Sequence, residues 1–180
     1  MTGPTPSRPY MPGYGIVGPD QGSGLLPWSW AEERLAAARN YWIATVRPDG
    51  RPHVMPVWAV WHEASLWFSS SLGSRKIRNV RANPHCAATT EDAADPVVLE
   101  GTAEVITDLD RIATFLARSN AKYEVDYGID FLDPAVNATV RIRPHWAFAL
   151  KHDDFSGSPT RWAFPPPAAG RVVDSVNREH

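Results

Sequence analysis

SSSLGSRKIRNVRANP, Ser69 to Pro84, is the stretch on which the fold turns. It follows an alternating apolar run ending Leu66-Trp67-Phe68, so the chain leaves a strand, crosses a Ser/Gly loop and enters a helix. Ser74 is a good N-cap, and Arg75 and Lys76 then fall in the first helical turn. Cations there oppose the macrodipole, whose N-terminal end is already positive, and an anion would relieve that penalty. Free N–H groups, the hydroxyls of Ser69, Ser70, Ser71 and Ser74 and two cations converge as a phosphate site requires. Taken alone, the pattern equally describes a solvated basic helix with an ordinary cap.

Upstream, residues 1–24 are rich in Pro and Gly without periodicity and are expected to form a loose, flexible arm. Ser29 and Glu32 have capping-box spacing for a helix over about 30–39. Tyr41 to Arg47 predicts a strand, Pro48-Asp49-Gly50 a turn, and Arg51 to Trp61 a returning strand. That second strand is apolar on both faces, which predicts burial on both sides. Pro56 in its middle marks an edge, a bulge, or a ladder interrupted where something approaches the backbone.

Downstream, strands are expected over about 85–90 and 97–107, the latter with Gly101 in its interior. Asp108 caps a helix over about 109–123 with Ile112, Phe115 and Leu116 as its apolar stripe. Two final strands, 138–143 and 145–151, are divided by Pro144. The sum is a mainly β fold with flanking helices, a six- to seven-stranded antiparallel barrel over residues 25–152, followed by a tail over 153–180.

Composition narrows the function. A chain of 180 residues with a net charge of -2 suits one domain and gives no reason to expect a nucleic-acid partner. Its one cysteine, Cys86, rules out an internal disulfide, and with no signal pattern and no membrane-length apolar run the expected setting is cytoplasmic. The six His show no metal-ligand spacing, so no metal is expected. Cys86 lies in an apolar strand where a thiol is inert, and no serine sits in a nucleophile elbow. What remains is the Ser74 helix, the broken strand at Pro56 and eight Trp, which together suit a cofactor-binding protein with little acid–base chemistry of its own.

The order of ATVRPDGRPHVMPVW, LWFSSSLGSRKIRNVRANP and VVLEGTAEV resembles the pyridoxamine 5'-phosphate oxidase-like superfamily, the flavin and deazaflavin split β-barrels, over about Trp28 to Leu150. Leu72 to Lys76 is similar to the flavin-phosphate motif of the oxidases themselves, and Arg78 to Pro84 to the deazaflavin branch. The resemblance implies a homodimer with a cofactor groove at each subunit interface. It places His53, Val54, Met55, Pro56, Val57 and Trp58 along the ring system, Ser69 and Ser70 at the ribityl chain, and Ser74, Arg75, Lys76 and Asn79 at the phosphate. The partner's strand 97–100 would help line the groove.

The arginine-rich C-terminal pattern of vitamin B6 oxidation is absent, which disfavours that substrate. The expected activity is hydride transfer between coenzyme F420 and an unsaturated small molecule, with FMN as the alternative cofactor and a non-catalytic flavin or deazaflavin carrier as the alternative class. Met55, Trp58, Trp61 and Trp42 are candidate wall residues. Tyr123 and His53 are candidate proton donors, no catalytic residue being assigned. The tail around Thr160 to Phe164 is a candidate lid or dimer strap, with surface-docked filler the plainer reading.

Overall fold

The computed structural model describes residues 3–166. In chain order the elements are β1 (Thr5–Ser7), α1 (Trp28–Ala37), β2 (Tyr41–Val46), β3 (Pro52–Val57), β4 (Val60–His62) and β5 (Ser65–Ser71). Then come α2 (Arg75–Ala82), β6 (His85–Thr90), β7 (Val97–Ile106), α3 (Leu109–Tyr123), β8 (Asn137–Ala149) and β9 (Thr160–Ala163). A 3-10 turn spans Ile129–Leu132 between α3 and β8.

All strand pairs are antiparallel, in the order β1-β9-β8-β7-β6-β2-β3, with β5 on the second edge of β8 and β4 on β5. The long strand β8 is the spine. One edge carries β7 throughout, while the other pairs with β5 over 137–142 and with β9 over 146–149. β3 pairs only with β2, and β5 beyond Trp67 only with β8, so each leaves one edge open. Those two edges are the split in the barrel, and α2 starts where β5 ends beside it. The fold is therefore the mainly β split-barrel architecture that the sequence predicts.

Strand alternation explains the core. On β2, Tyr41, Ile43 and Thr45 are buried while Trp42 points out, and their β6 and β7 partners continue the inner face through Cys86, Ala88, Val97 and Leu99. α1 closes this core with Ala31 and Leu35, and Trp162 of β9 is fully buried in it. A second cluster under α3 packs Ile112, Phe115 and Leu116 on Val60 and Trp67.

Gly101 is required by a close approach. A Cβ there would lie 2.2 Å from the Arg143 carbonyl oxygen. At this point the β7–β8 register shifts so that Gly101 faces Pro144 and His145 is the extra residue. Proline has no N–H to give a ladder, and the bulge absorbs it, so Asn137–Ala149 form one bulged strand rather than the two expected over 138–143 and 145–151.

Three other expectations are corrected. α1 begins at Trp28 with Pro27 at the cap and no side-chain capping bond, so Ser29 and Glu32 form no capping box. Trp28 instead anchors the entry, packing edge-on against Trp162 and Phe164. Arg51 to Trp61 is not one strand buried on both faces: it divides at Trp58-Ala59 into β3 and β4, and Val54, Met55 and Trp58 are exposed. Pro56 sits on the open edge, where its missing donor costs nothing.

The third concerns the termini. The segment expected to be a loose arm carries β1, which pairs with β9. The Arg8 guanidinium donates to the carbonyls of Gly18, Gln21, Gly157 and Pro159, pinning arm to tail. Residues 160–163 thus add a strand to the sheet, and the part of the tail beyond Pro166 lies outside the described residues.

Candidate cofactor site

The split brings together most of the predicted site. Ser74 caps α2, accepting from Ile77 N, and its Oγ lies 3.1 Å from the donating Ser70 hydroxyl. Lys76 Nζ donates to Ser70 Oγ at 3.0 Å, giving a chain from Lys76 through Ser70 to Ser74 at the helix N-terminus. Neither Lys76 nor Arg75, Arg78 or Arg81 is in an ion pair among the described residues. Partial burial without a counterion lowers the Lys76 pKa. An ammonium held this way, beside free helix N–H groups, favours an anion. Ser69, Pro56, Val57 and Trp58 line the same cavity as Lys76.

His53 and Asn79 are placed differently. Asn79 is fully buried beneath α2, donating to Thr45 Oγ1 at 2.9 Å, and Thr45 donates onward to the His53 carbonyl at 3.3 Å. This chain ties the phosphate-candidate helix to β2 and β3, so Asn79 positions the cradle from below. The His53 pKa is lowered by desolvation first, then by the charges of Arg47, Lys76 and Arg75. Its Nδ1 is buried without a partner. A ring held neutral by its neighbours is a poor acid near pH 7.

Tyr123, which the sequence offers as a candidate proton donor, has its hydroxyl engaged by the backbone. Its hydroxyl accepts from Ala59 N at 2.7 Å and shares its one proton between the carbonyls of Ala59, 2.9 Å, and Arg39, 2.8 Å. Burial raises its pKa. The hydroxyl is therefore consumed by the chain break after Trp58 and is not aimed into the cavity. Its ring stacks on Trp58, centroids 4.4 Å apart and planes 5° from parallel, and so orients the exposed indole.

Lys122, which sequence reasoning passed over, completes this knot. It donates to Ala59 O at 3.0 Å and Tyr41 Oη at 2.9 Å, and burial pushes its pKa down to about 8. Tyr127 and Phe131 were also missed; they stack on each other at 4.2 Å and line the cavity. Their i,i+4 spacing in a segment without helical caps was the available signal.

Of the other wall candidates, Met55 lies on β3, and Trp42 faces the opposite side of the sheet. Trp61 packs against Trp28 and donates to Glu32, away from the cavity. Among the described residues no cluster of His, Cys, Asp or Glu is placed to hold a metal ion, and no helix is long and apolar enough to cross a membrane.

A solved structure described as an F420 reductase is 28% identical over 63% of this chain and 91% of its own, with a TM-score of 0.53. A conserved hypothetical protein from Mycobacterium tuberculosis is 19% identical over 88% of this chain and 96% of its own, TM-score 0.62. General Stress Protein 26 from Bacillus anthracis is 20% identical over 66% and 92%, TM-score 0.53. The last two likenesses are of fold alone. Comparison with curated protein sequences finds no match. The family model described as pyridoxamine 5'-phosphate oxidase matches residues 30–150, the segment that holds the whole split and its cradle. The chain belongs to the pyridoxamine 5'-phosphate oxidase family, whose members bind flavins or deazaflavins.

Proposed function

We propose that the protein is an oxidoreductase that binds coenzyme F420 and passes hydride between this deazaflavin and an unsaturated small molecule. The observation that carries the reading is the Lys76–Ser70–Ser74 chain at the open N-terminus of α2, a partly buried cation bonded only to a hydroxyl. These residues fit the phosphate end of such a cofactor: Ser74, Arg75 and Lys76 would hold the anion, and Ser69 and Ser70 the adjoining polyol. His53 to Trp58 would lie along the ring, with the open edge of β3 offering unpaired main-chain groups. When bound, the cofactor supplies the hydride chemistry. The chain's part is to orient it, to wall it with Met55 and Trp58, and to exclude water.

The F420 choice is supported by the 28% identical F420 reductase. FMN is the second reading, favoured by Leu72 to Lys76, the segment similar to the flavin-phosphate motif. Either cofactor serves the same cradle.

The working unit in this reading is a homodimer. Strand register puts Trp42, Val54 and Trp146 on one outer face of the sheet, each more than a third exposed, and Trp146 lines an open cavity of about 490 Å³ with Ala44, Ala87 and Glu100. A second copy of the chain is the occupant that the fold class implies for such a face. Lys76→Ala tests the cradle: loss of a charge-assisted contact weakens cofactor binding by about 1.5–3 kcal/mol. Unchanged affinity overturns the placement.

A further inference from the structure

The outer face of the sheet is built from residues that strand alternation turns away from the core. Val97, Leu99, Ala147, Ala149 and Trp162 point in and are buried, so Val98, Glu100, Trp146, Phe148 and Arg161 point out. Register sets these five side by side. Val98 faces Phe148 and Glu100 faces Trp146 across β7 and β8, and Phe148 faces Arg161 across β8 and β9. They line a groove of about 250 Å³ with an apolar floor and one charge of each sign, Glu100 on β7 and Arg161 on β9.

Both charges are exposed, and neither is in an ion pair among the described residues. They lie two strands apart, about 10 Å across the sheet, with β8 between them. The Arg161 guanidinium is stacked on the Trp146 ring, 3.5 Å from its centroid. Stacking holds the group by its face and leaves its N–H edge free, a planar fork of donors that fits a carboxylate. The strand beneath it is fixed as well: β9 is paired on both edges, with β8 and β1, and Trp162 anchors it in the core.

A face with an apolar middle and opposite charges on its two sides is complementary to itself. A two-fold axis through the floor turns one side onto the other, so every contact is made twice. Trp146 is then covered, and both lone charges find partners.

We propose that Glu100 and Arg161 lock two copies of this chain in register: Arg161 of one protomer donates to the partner's Glu100, and the partner's Arg161 donates to Glu100, over the apolar floor of the groove. The lock rests on the homodimer reading above and adds to it the residues that close the interface. Arg161 lies beyond residues 30–150, so this half of the lock belongs to the chain's own β1–β9 ribbon and not to the family segment.

The test is a charge exchange in the full chain. Arg161→Glu leaves the groove with two negative charges and Glu100→Arg leaves it with two positive ones, so each variant repels its own copy. Sedimentation equilibrium is expected to show a dimer for wild type and a dissociation constant raised at least about tenfold for either variant. An equimolar mixture of the two variants is expected to return to within about threefold of wild type, because each then meets its complement. Pairing inside one chain would give no such rescue on mixing.

Both side chains are exposed, so the changes spare the core. Should either charge reversal fail to fold, Arg161→Gln and Glu100→Gln take its place, each expected to weaken the dimer and to flatten its dependence on salt.

Unchanged dissociation constants in the variants, or a mixture as weak as its parts, overturn the lock and leave the homodimer to other contacts. A wild type that is monomeric at every concentration overturns the lock and the homodimer reading together, and the Lys76→Ala titration then judges the cradle by itself.

Discussion

Replacing Tyr123 by Phe removes one oxygen from the knot that ends β3. That oxygen accepts from Ala59 N at 2.7 Å and shares its proton between the carbonyls of Ala59 and Arg39. Ala59 is 1% exposed, so its N–H is left buried without a partner, while its carbonyl keeps Lys122 at 3.0 Å. An orphaned buried donor costs about 1–3 kcal/mol, and about 2 kcal/mol is the expected loss here. In a chain of this size that lowers Tm by about 4–8 °C. The phenyl ring preserves the stack on Trp58, so Tyr123→Leu should lose about 0.5–1.5 kcal/mol more. Urea unfolding followed by far-UV circular dichroism measures both. A loss under about 0.5 kcal/mol for Tyr123→Phe, outside the range for an orphaned donor, would mean that the hydroxyl does not hold the Trp58–Ala59 break, and the assignment of Tyr123 to the scaffold would fail.

Lys122 makes stability depend on pH in a defined window. Burial lowers its folded pKa to about 8 from the usual 10.5, so between these values the unfolded chain binds more protons and stability rises with pH. Below about 8 both states are charged and the burial cost is constant. The stability of wild type relative to Lys122→Met should therefore climb from pH 8 to 10.5, and a flat difference in urea midpoints would refute it. Gly101→Ala forces a Cβ to within 2.2 Å of the Arg143 carbonyl and should cost about 1–3 kcal/mol or more by urea unfolding; a neutral result would contradict the close β7–β8 approach. Arg8→Ala removes donors to four carbonyls and should release the arm, read as new proteolytic cuts within residues 9–24. An unchanged digestion pattern would show that β1 pairing alone holds it.

Where side chains face the chain's own core, periodicity made the fold legible. β2, β5, β6, β7 and α3 were readable because alternation or a helical stripe ends at a turn residue or a cap. Ser74 and Asp108 cap as expected. β3 misled because apolar residues on an exposed edge strand carry the same hydropathy as residues that serve a core. Val54, Met55 and Trp58 carry the hydropathy of burial without being buried in one chain. The bulge at Pro144 depends on Gly101 forty-three residues away, a pairing that no local window contains. The β1–β9 ribbon was illegible because three- and four-residue strands have no period, and its strength lies in Arg8 reaching carbonyls far along the chain.

For the site, the serines, Arg75 and Lys76 were visible as a motif. Asn79 belongs to the same motif but works from underneath, through Thr45, a role set by which way α2 rolls on β2. Lys122 lies in the last turn of α3, while Tyr127 and Phe131 come from the connection after it, whose path is decided by Asn120 and Asn137, and only the fold brings them to the Trp58-Ala59 break.

The most direct test of the central claim is a pair of titrations of the cofactor-stripped protein with coenzyme F420 and with FMN, read by Trp fluorescence, each repeated on Lys76→Ala. The account predicts tight binding of F420, weaker binding of FMN, quenching dominated by Trp58, and a loss of at least about tenfold in the variant. Binding of neither cofactor, or binding that Lys76→Ala leaves untouched, would contradict it.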